Sequence, residues 1–574
     1  MGLTSAMNIG ASGLTASQLA IQVTGNNLAN AATPGYSRQV AILAPSRTQM
    51  IGCLSLGTGV TLEQVRRQVD EALQSRVRDG ISNEAGAGQE FATLAGIEGV
   101  LGEMGNGDLS SELTAFFNSW SERANQTKSS AVVVQQGVRL AQYLQRLRGD
   151  VLNQREQIDR QLSAQAAAAD GLLEKIAGLN RSIAEAGMGG GGTLRDQRDV
   201  ALAELASLMD VTAVEQSNGT VNVLSGSTPL VLGGRSRGLE LTTRAGSKGL
   251  EVGLSVREDG ETLAVSSGSL GALVSQRSGT IDGLVTTLDR VAAALIHEVN
   301  AIHSTGTNAG GLVRATGTVG VPTGDRTLAM NDPRNGTCAG LRYPPRDGGF
   351  TVEVRGPGGA RQTVRIDMDC DGRDAGGAVG YGDDTSIEDI RAALDAIDGV
   401  SATFTADGRL DIRADAGFSF SFADDSSGVL AALGVNSYFT GQDASDIGVR
   451  ADLTETPELL VVGRMVNGVL DEGAGARAVA GLRDAGIGSL GGRSITASWT
   501  DAVQGLGVRT DAAASNAEAA RAVREALEAQ RQSVSGVNID EETVNLLTYQ
   551  RQYQASARLI TVVDQLTQEL LSIV

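Results

Sequence analysis

The chain has 574 residues, roughly four domains' worth at the usual domain size, and its 41% hydrophobic content is enough for real cores. Aromatics at 3% weigh against a large aromatic-lined ligand pocket. A formal charge of −20 weighs against a nucleic-acid partner, because phosphate binding needs clustered Lys and Arg.

Three scattered cysteines (Cys53, Cys338, Cys370) give neither a disulfide framework nor a zinc cluster. The N-terminus MGLTSAMNIGASG has no basic region and no continuous apolar run, so no cleaved signal peptide is expected. No stretch of about 20 apolar residues is present, so no membrane insertion is expected.

In chain order, the first element is a helix. Met7, Leu14, Ile21 and Leu28 fall seven apart, with Leu3 four before Met7; this is the spacing of a coiled-coil seam. Gly10, Ala11, Gly13, Ala16 and Ser17 lie between. Small residues permit close helix approach, while each Gly weakens an isolated helix by about 1 kcal/mol. In GNNLANAATPGYSRQV, Pro34 cannot continue the helix and Gly35 permits a turn. An extended segment over 36–43 follows.

Helices are then predicted over 60–78, 109–123, 132–186 and 194–209, with a Gly cluster at 187–192 ending the long one. From 211 to 266 short runs such as TVNVLS and LELTTR, separated by Asn-Gly and Gly-Gly turns, predict strands. Helix returns over 270–303, and 305–325 reads as a loose linker. A second β-rich block spans 326–449, with FTVEVRG, TVRIDMD and GRLDIRA as strands and one helix at 386–397. Helical texture resumes after 459, with a long helix over 511–534 and a break at Ser535-Gly536.

The last segment carries two interleaved heptad sets: Leu546, Tyr553, Ile560, Thr567 and Val574, then Tyr549, Ser556, Val563 and Leu570. Leu559, Val562, Leu566 and Ile573 widen the apolar face. Asp540, Glu541 and Glu542 sit at the N-terminal end, as the helix dipole prefers. An apolar stripe that continues to the last residue needs a covering partner. Because the middle reads as an insertion, the terminal helices are expected side by side.

The expected fold is α+β and multidomain: long terminal helices forming a coiled-coil assembly domain, a helical inner domain and β-rich inserted outer domains. The expected division is 1–50 for the N-terminal helix and joint, pairing with 535–574. A helical inner domain runs over 51–304 with strands at 211–266 and returns over 450–534. The β-rich insertion is 305–449.

Catalytic motifs fail on spacing. His297-Glu298 would need His at 301 for a zinc protease, and Ala301 is there. GMGGGGTLRD lacks the Gly-Lys-Ser/Thr and preceding strand of a P-loop. DMDCDG, 367–372, matches the start of an EF-hand loop, but the twelfth position is Ala378, not Glu, and a strand precedes it. It reads as a polar hairpin loop, with a weak calcium site of another type as the alternative. No catalytic residue, cofactor or metal ligand is assigned.

LAIQVTGNNLANAATPGYSRQ (19–39) resembles the N-terminal motif of bacterial flagellar axial proteins: rod, hook and hook-associated proteins. SGVNIDEETVNLLTYQRQYQASARLITVVDQLTQELLSIV (535–574) resembles their paired C-terminal motif. Four interior stretches, 57–79, 193–223, 267–306 and 433–449, are similar to the flagellar hook-associated protein 1 family, the first junction protein between hook and filament; hook or distal rod proteins are the alternative. About 305–430 is the least similar part.

The resemblance implies a non-enzymatic structural protein of the flagellum, extracellular at the hook–filament junction and exported unfolded through the flagellar apparatus. Implied partners are further copies in a ring, the hook protein, the second junction protein and an export chaperone on the C-terminal helix. Terminal helices would order on assembly around a central channel. The assembly residues expected are Leu3, Met7, Leu14, Ile21, Leu28, Asn26, Asn27, Asn30, Pro34, Gly35, Tyr36 and Arg38, with Leu546, Tyr549, Tyr553, Ile560, Val563 and Leu570.

Overall fold

Long helices carry this fold, and the small sheets are antiparallel. The computed structural model describes residues 2–573 apart from 52–53, 103–106, 127, 188–190, 247–248, 375 and 467–468. Cys53 and the centre of the glycine cluster therefore lie outside the described residues. The chain forms two compact units, one of Met1–Thr93, Gln157–Ser278 and Thr510–Val574, the other of Leu94–Glu156 and Gly279–Arg509. The fold is α+β and multidomain, as the alternation of helical and β texture predicts.

In the first unit the N-terminal helix, Gly2–Ala29, packs antiparallel to the C-terminal helix, Ile539–Ile573. The hairpin Gln39–Pro45 with Val60–Arg67 follows the first helix, with a register shift at Ile42/Leu43. The helix prediction over 60–78 is half wrong. Val60–Arg67 is a strand, and the helix begins at Glu71. Leu62 and Val65 fit a helical stripe by spacing, but pairing with Gln39–Pro45 decides the conformation. The C-terminal part of the predicted stripe does behave as helix core: Leu73 and Val77 are buried with Leu527.

That helix runs on to Leu101, beyond the predicted end. Its glycines obscure the pattern, yet some serve close approach. A Cβ on Gly80 would lie 3.1 Å from Leu527, and one on Gly86 would lie 3.3 Å from the Gly268 backbone. The 211–266 region is a four-stranded meander (Thr212–Glu215 through Arg235–Ser236) and a three-stranded sheet around Gly249–Val256. The predicted 270–303 helix is two α-helices joined by a π-helical turn, Gln276–Ile281, a local defect that propensity does not reveal.

In the second unit, Phe116, Trp120, Tyr438 and Phe439 form a buried aromatic knot with His303. Asn300 fixes its edge: its Oδ1 accepts from the Tyr438 and Phe439 amides, at 2.9 and 2.8 Å. The β-rich block holds two three-stranded sheets, centred on Gly348–Arg355 and Arg409–Ala414. Phe350, Phe422, Ile412 and Leu394 fill its core. Its helix, Ile387–Asp395, begins with a capping box between Ser386 and Asp389.

Two further expectations fail here. The supposed linker 305–325 contains the strand Arg314–Gly320, paired with Arg409–Ala414; its Gly and Thr look loop-like, but partner strands order them. After 459 two strands, Gly463–Val466 and Val469–Asp471, precede any helix longer than one turn. The long helix starts at Ile495, not 511, because the glycines at 505 and 507 are tolerated within it.

Candidate assembly interface at the chain ends

The seam between the terminal helices is made of small residues on one side. Gly10, Ser17, Ala20, Thr24 and Asn27 of the first helix are buried. A Cβ on Gly10 would sit 2.8 Å from Ile560 Cγ1, and one on Gly13 would sit 2.8 Å from Ser556 Oγ. The large residues expected to form the first helix's seam are displaced from it. Met7 and Leu28 are exposed, and Leu3, Leu14 and Ile21 are half-buried. Small residues shorten the interaxial distance, so the helices close on glycine, and the aliphatic side chains flank the contact.

The C-terminal helix follows its heptads more closely. Val563 is buried, Leu546, Tyr549 and Ile560 are half-buried, while Tyr553 and Leu570 are exposed. Part of its apolar surface is open: Leu559 is 40%, Val562 50% and Leu566 45% exposed on one face, and Leu547 and Leu571 are exposed elsewhere on the helix.

A polar clasp closes the far end of the pair. Asn27, 1% exposed, donates from Nδ2 to Glu542 Oε2 at 2.9 Å and to the Gln39 carbonyl at 2.8 Å. Its Oδ1 accepts from the Tyr36 hydroxyl at 2.8 Å and the Gln39 amide at 3.0 Å. Arg38 pairs with Glu542 at 2.8 Å and with Glu541 at 3.0 Å. The Arg38 amide also donates to the Ser535 carbonyl. Asn26 donates to Tyr36 Oη, and Asn30 back to the Asn26 carbonyl.

Burial, with Asp196 and Glu542 nearby, pushes the Tyr36 hydroxyl up to about 12, so it stays a donor. Gly35 holds φ +77°, and a Cβ there would meet Val200 at 2.4 Å; both the turn and the packing require glycine. Pro34 is exposed. Thus Asn27, Tyr36 and Arg38 are engaged within the chain, fixing the joint between the first helix and the hairpin.

Behind the joint lies an ionic cluster that sequence reading missed. Arg67 pairs with Asp196 at 3.0 Å and with Asp199. Burial raises Asp196 to about 6, against the opposing pull of Arg67. Arg198 donates to Asn180 Oδ1 and the Gly219 carbonyl, and Asn180 donates to the Val221 and Gly233 carbonyls. The charge-dense TLRDQRD run was the available signal; nothing in it names the partners, which are distant in sequence.

The two histidines do not converge. His297 stacks on Tyr343 at 4.2 Å, whereas His303 is buried with Nδ1 2.7 Å from the Asn436 carbonyl. Among the described residues no helix is long and apolar enough to cross a membrane.

Three family models match. One described as the flagellar hook-associated protein FlgK helical domain covers residues 94–318. The flagella basal body rod protein model covers 7–36, and the flagellar basal body rod FlgEFG protein C-terminal model covers 528–573. The flagellar hook-associated protein 1 of Bacillus subtilis is 29% identical over 232 residues, 37% of this chain and 46% of that protein. Its counterpart in Salmonella typhimurium is 27% identical over 252 residues, 41% of this chain and 44% of that protein. The chain thus spans under half the length of the curated relatives it matches.

The structure of the flagellar hook junction protein FlgK from Burkholderia pseudomallei aligns with a TM-score of 0.51 at 15% identity, over 80% of this chain and 100% of that one; this likeness concerns the fold. The two chain ends that pair as helices are the segments the two rod-type models match, so the chain resembles a flagellar axial protein. The interior model and the curated relatives are those of the flagellar hook-associated protein 1 family, which this chain resembles.

Proposed function

We propose that this chain is a non-enzymatic structural adaptor at the hook–filament junction, where copies of it form a ring. The carrying observation is the pairing of the two chain ends, which leaves the apolar stripe of Leu559, Val562 and Leu566 open. A stripe of this kind on a long helix suits burial against neighbouring helices in a concentric assembly. The match over 94–318 favours the junction over the hook or distal rod. On this reading the hook protein lies on one side and a second junction protein on the other. An export chaperone covers the C-terminal helix before secretion through the flagellar apparatus. The site of action is the extracellular flagellum, and no step needs a catalytic group or cofactor.

The test is a flagellated cell lacking this chain. It should make hooks without filaments and lose filament subunits to the medium. Re-expressing the full chain should restore filaments, and a version lacking 535–574 should not. Filaments of normal length in the deletion strain would overturn the assignment.

A further inference from the structure

The DMDCDG stretch is not used by the assembly reading, and the structure changes its register. Asp367 lies on the strand Arg361–Met368 and pairs outward with Arg365 at 2.6 Å. Met368 turns into the core. Asp369 and Asp371 then meet a residue from the far end of the loop, Asp384: one oxygen from each of the three lies within 4.8 Å of the others. The loop is drawn closed by its own ends, since the Asp369 amide donates to Thr385 Oγ1 and the Thr385 amide to the Asp369 carbonyl.

A second observation points to a ligand. Asp384 is 5% exposed, and its Oδ1 is buried with no hydrogen-bond partner among the described residues. Its Oδ2 accepts from Asn331 Nδ2 at 2.8 Å and the Gly372 amide at 3.1 Å. The Asn331 Oδ1 is likewise buried without a partner. Buried carboxylate oxygens are rarely left unpaired, and Asp384 lies in a group with two further carboxylates. The basic residue within the loop does not relieve it, for Arg373 sends its guanidinium to the Gly377 carbonyl.

We propose that Asp369, Asp371 and Asp384, with the side-chain oxygen of Asn331, form a calcium site that clamps the loop between the strand Arg361–Met368 and the helix Ile387–Asp395. The ion follows from the ligands. Carboxylate and amide oxygens are hard donors, which suit Ca²⁺ better than soft metals. Ca²⁺ accepts irregular oxygen geometry, whereas Mg²⁺ demands a near-ideal octahedron and dehydrates reluctantly. Two of the three carboxylates are exposed, which gives the ion a path in. The site differs from an EF-hand in drawing a ligand from the end of the loop and none from position 378.

The experiment uses the full chain stripped of metal, titrated with Ca²⁺ at 0.15 M NaCl (an ionic strength of about physiological screening) by equilibrium dialysis. Tb³⁺ luminescence gives a second readout, because the Tyr381 ring lies beside Gly372 and can sensitise it. Expected are one saturable Ca²⁺ per chain at about 0.1–1 mM, the range of extracellular modules, and displacement of Tb³⁺ by Ca²⁺ but not by equal Mg²⁺. Asp371→Asn, on the exposed side, should weaken binding about tenfold or more, and Asp384→Asn should abolish it. Asp367→Asn should bind like the parent. Absence of saturable binding at millimolar Ca²⁺, or equal binding by Asp371→Asn and the parent, would overturn the proposal. Since Asp371→Asn alters an exposed side chain, an intact circular dichroism spectrum separates lost binding from lost folding.

Discussion

Glu542 shows how one side chain can hold two ends of a chain together. It is 2% exposed, and its two oxygens take Asn27 and Arg38 from the opposite terminus. A buried charge of this kind is tolerable because each oxygen is paired; removing the charge leaves Arg38 only the more exposed Glu541. Glu542→Gln should therefore destabilise the terminal helix pair by about 1–3 kcal/mol, seen as faster amide exchange over 15–29 and 539–550. Unchanged exchange there would mean that the helix seam alone sets the stability. His303 works in the opposite sense, as a group kept neutral. Burial in the aromatic knot, with Arg450 nearby, holds it down to about 3, while an unfolded histidine titrates near 6.5. The folded state then binds fewer protons, so this contribution to stability is complete above about pH 6.5 and is lost as pH falls toward 3. Both tryptophans lie in the unit that contains His303. Urea unfolding followed by their fluorescence should show a midpoint falling between pH 6.5 and 4, and His303→Gln should flatten that slope.

At the scale of elements, glycine has two meanings in one helix. In Ser130–Ala186, a Cβ on Gly149 would meet nothing within 4 Å, whereas one on Gly137 would lie 2.0 Å from the Tyr438 hydroxyl. That hydroxyl is buried and donates to the Val133 carbonyl at 2.8 Å. Propensity alone favours Ala over Gly in a helix interior by about 1 kcal/mol. Gly149→Ala should thus stabilise by up to about 1 kcal/mol, and Gly137→Ala should destabilise by about 2 kcal/mol or more, since the rigid aromatic cannot yield. Thermal melts of the two variants decide it; equal shifts would refute the packing role of Gly137. The same logic explains the N-terminal helix. Its regularly spaced Leu and Met positions suggested the seam, but Gly10 and Gly13 allow the C-terminal helix to come so close that the contact forms on the small side.

On the scale of the whole molecule, the C-terminal helix keeps much of its apolar surface exposed, and local stability follows buried contact. Limited proteolysis of the purified chain should cut within about 1–50 and 535–574 before the rest; ends as resistant as the middle would count against an assembly surface held in reserve. The sequence by itself determined the helix–β–helix order, the helices at 109–124 and 130–186 nearly to the residue, and the pairing of the two ends, because periodicity and punctuation are local properties of the chain. Tertiary structure alone decided that 60–67 and 314–320 are strands, since a strand needs its partner. It also decided that the first helix packs by its glycines. Nothing local joins Asn27 to Glu542, Arg67 to Asp196, or Asp369 to Asp384. Those contacts exist because the chain returns to itself, bringing charges together that sequence separation conceals.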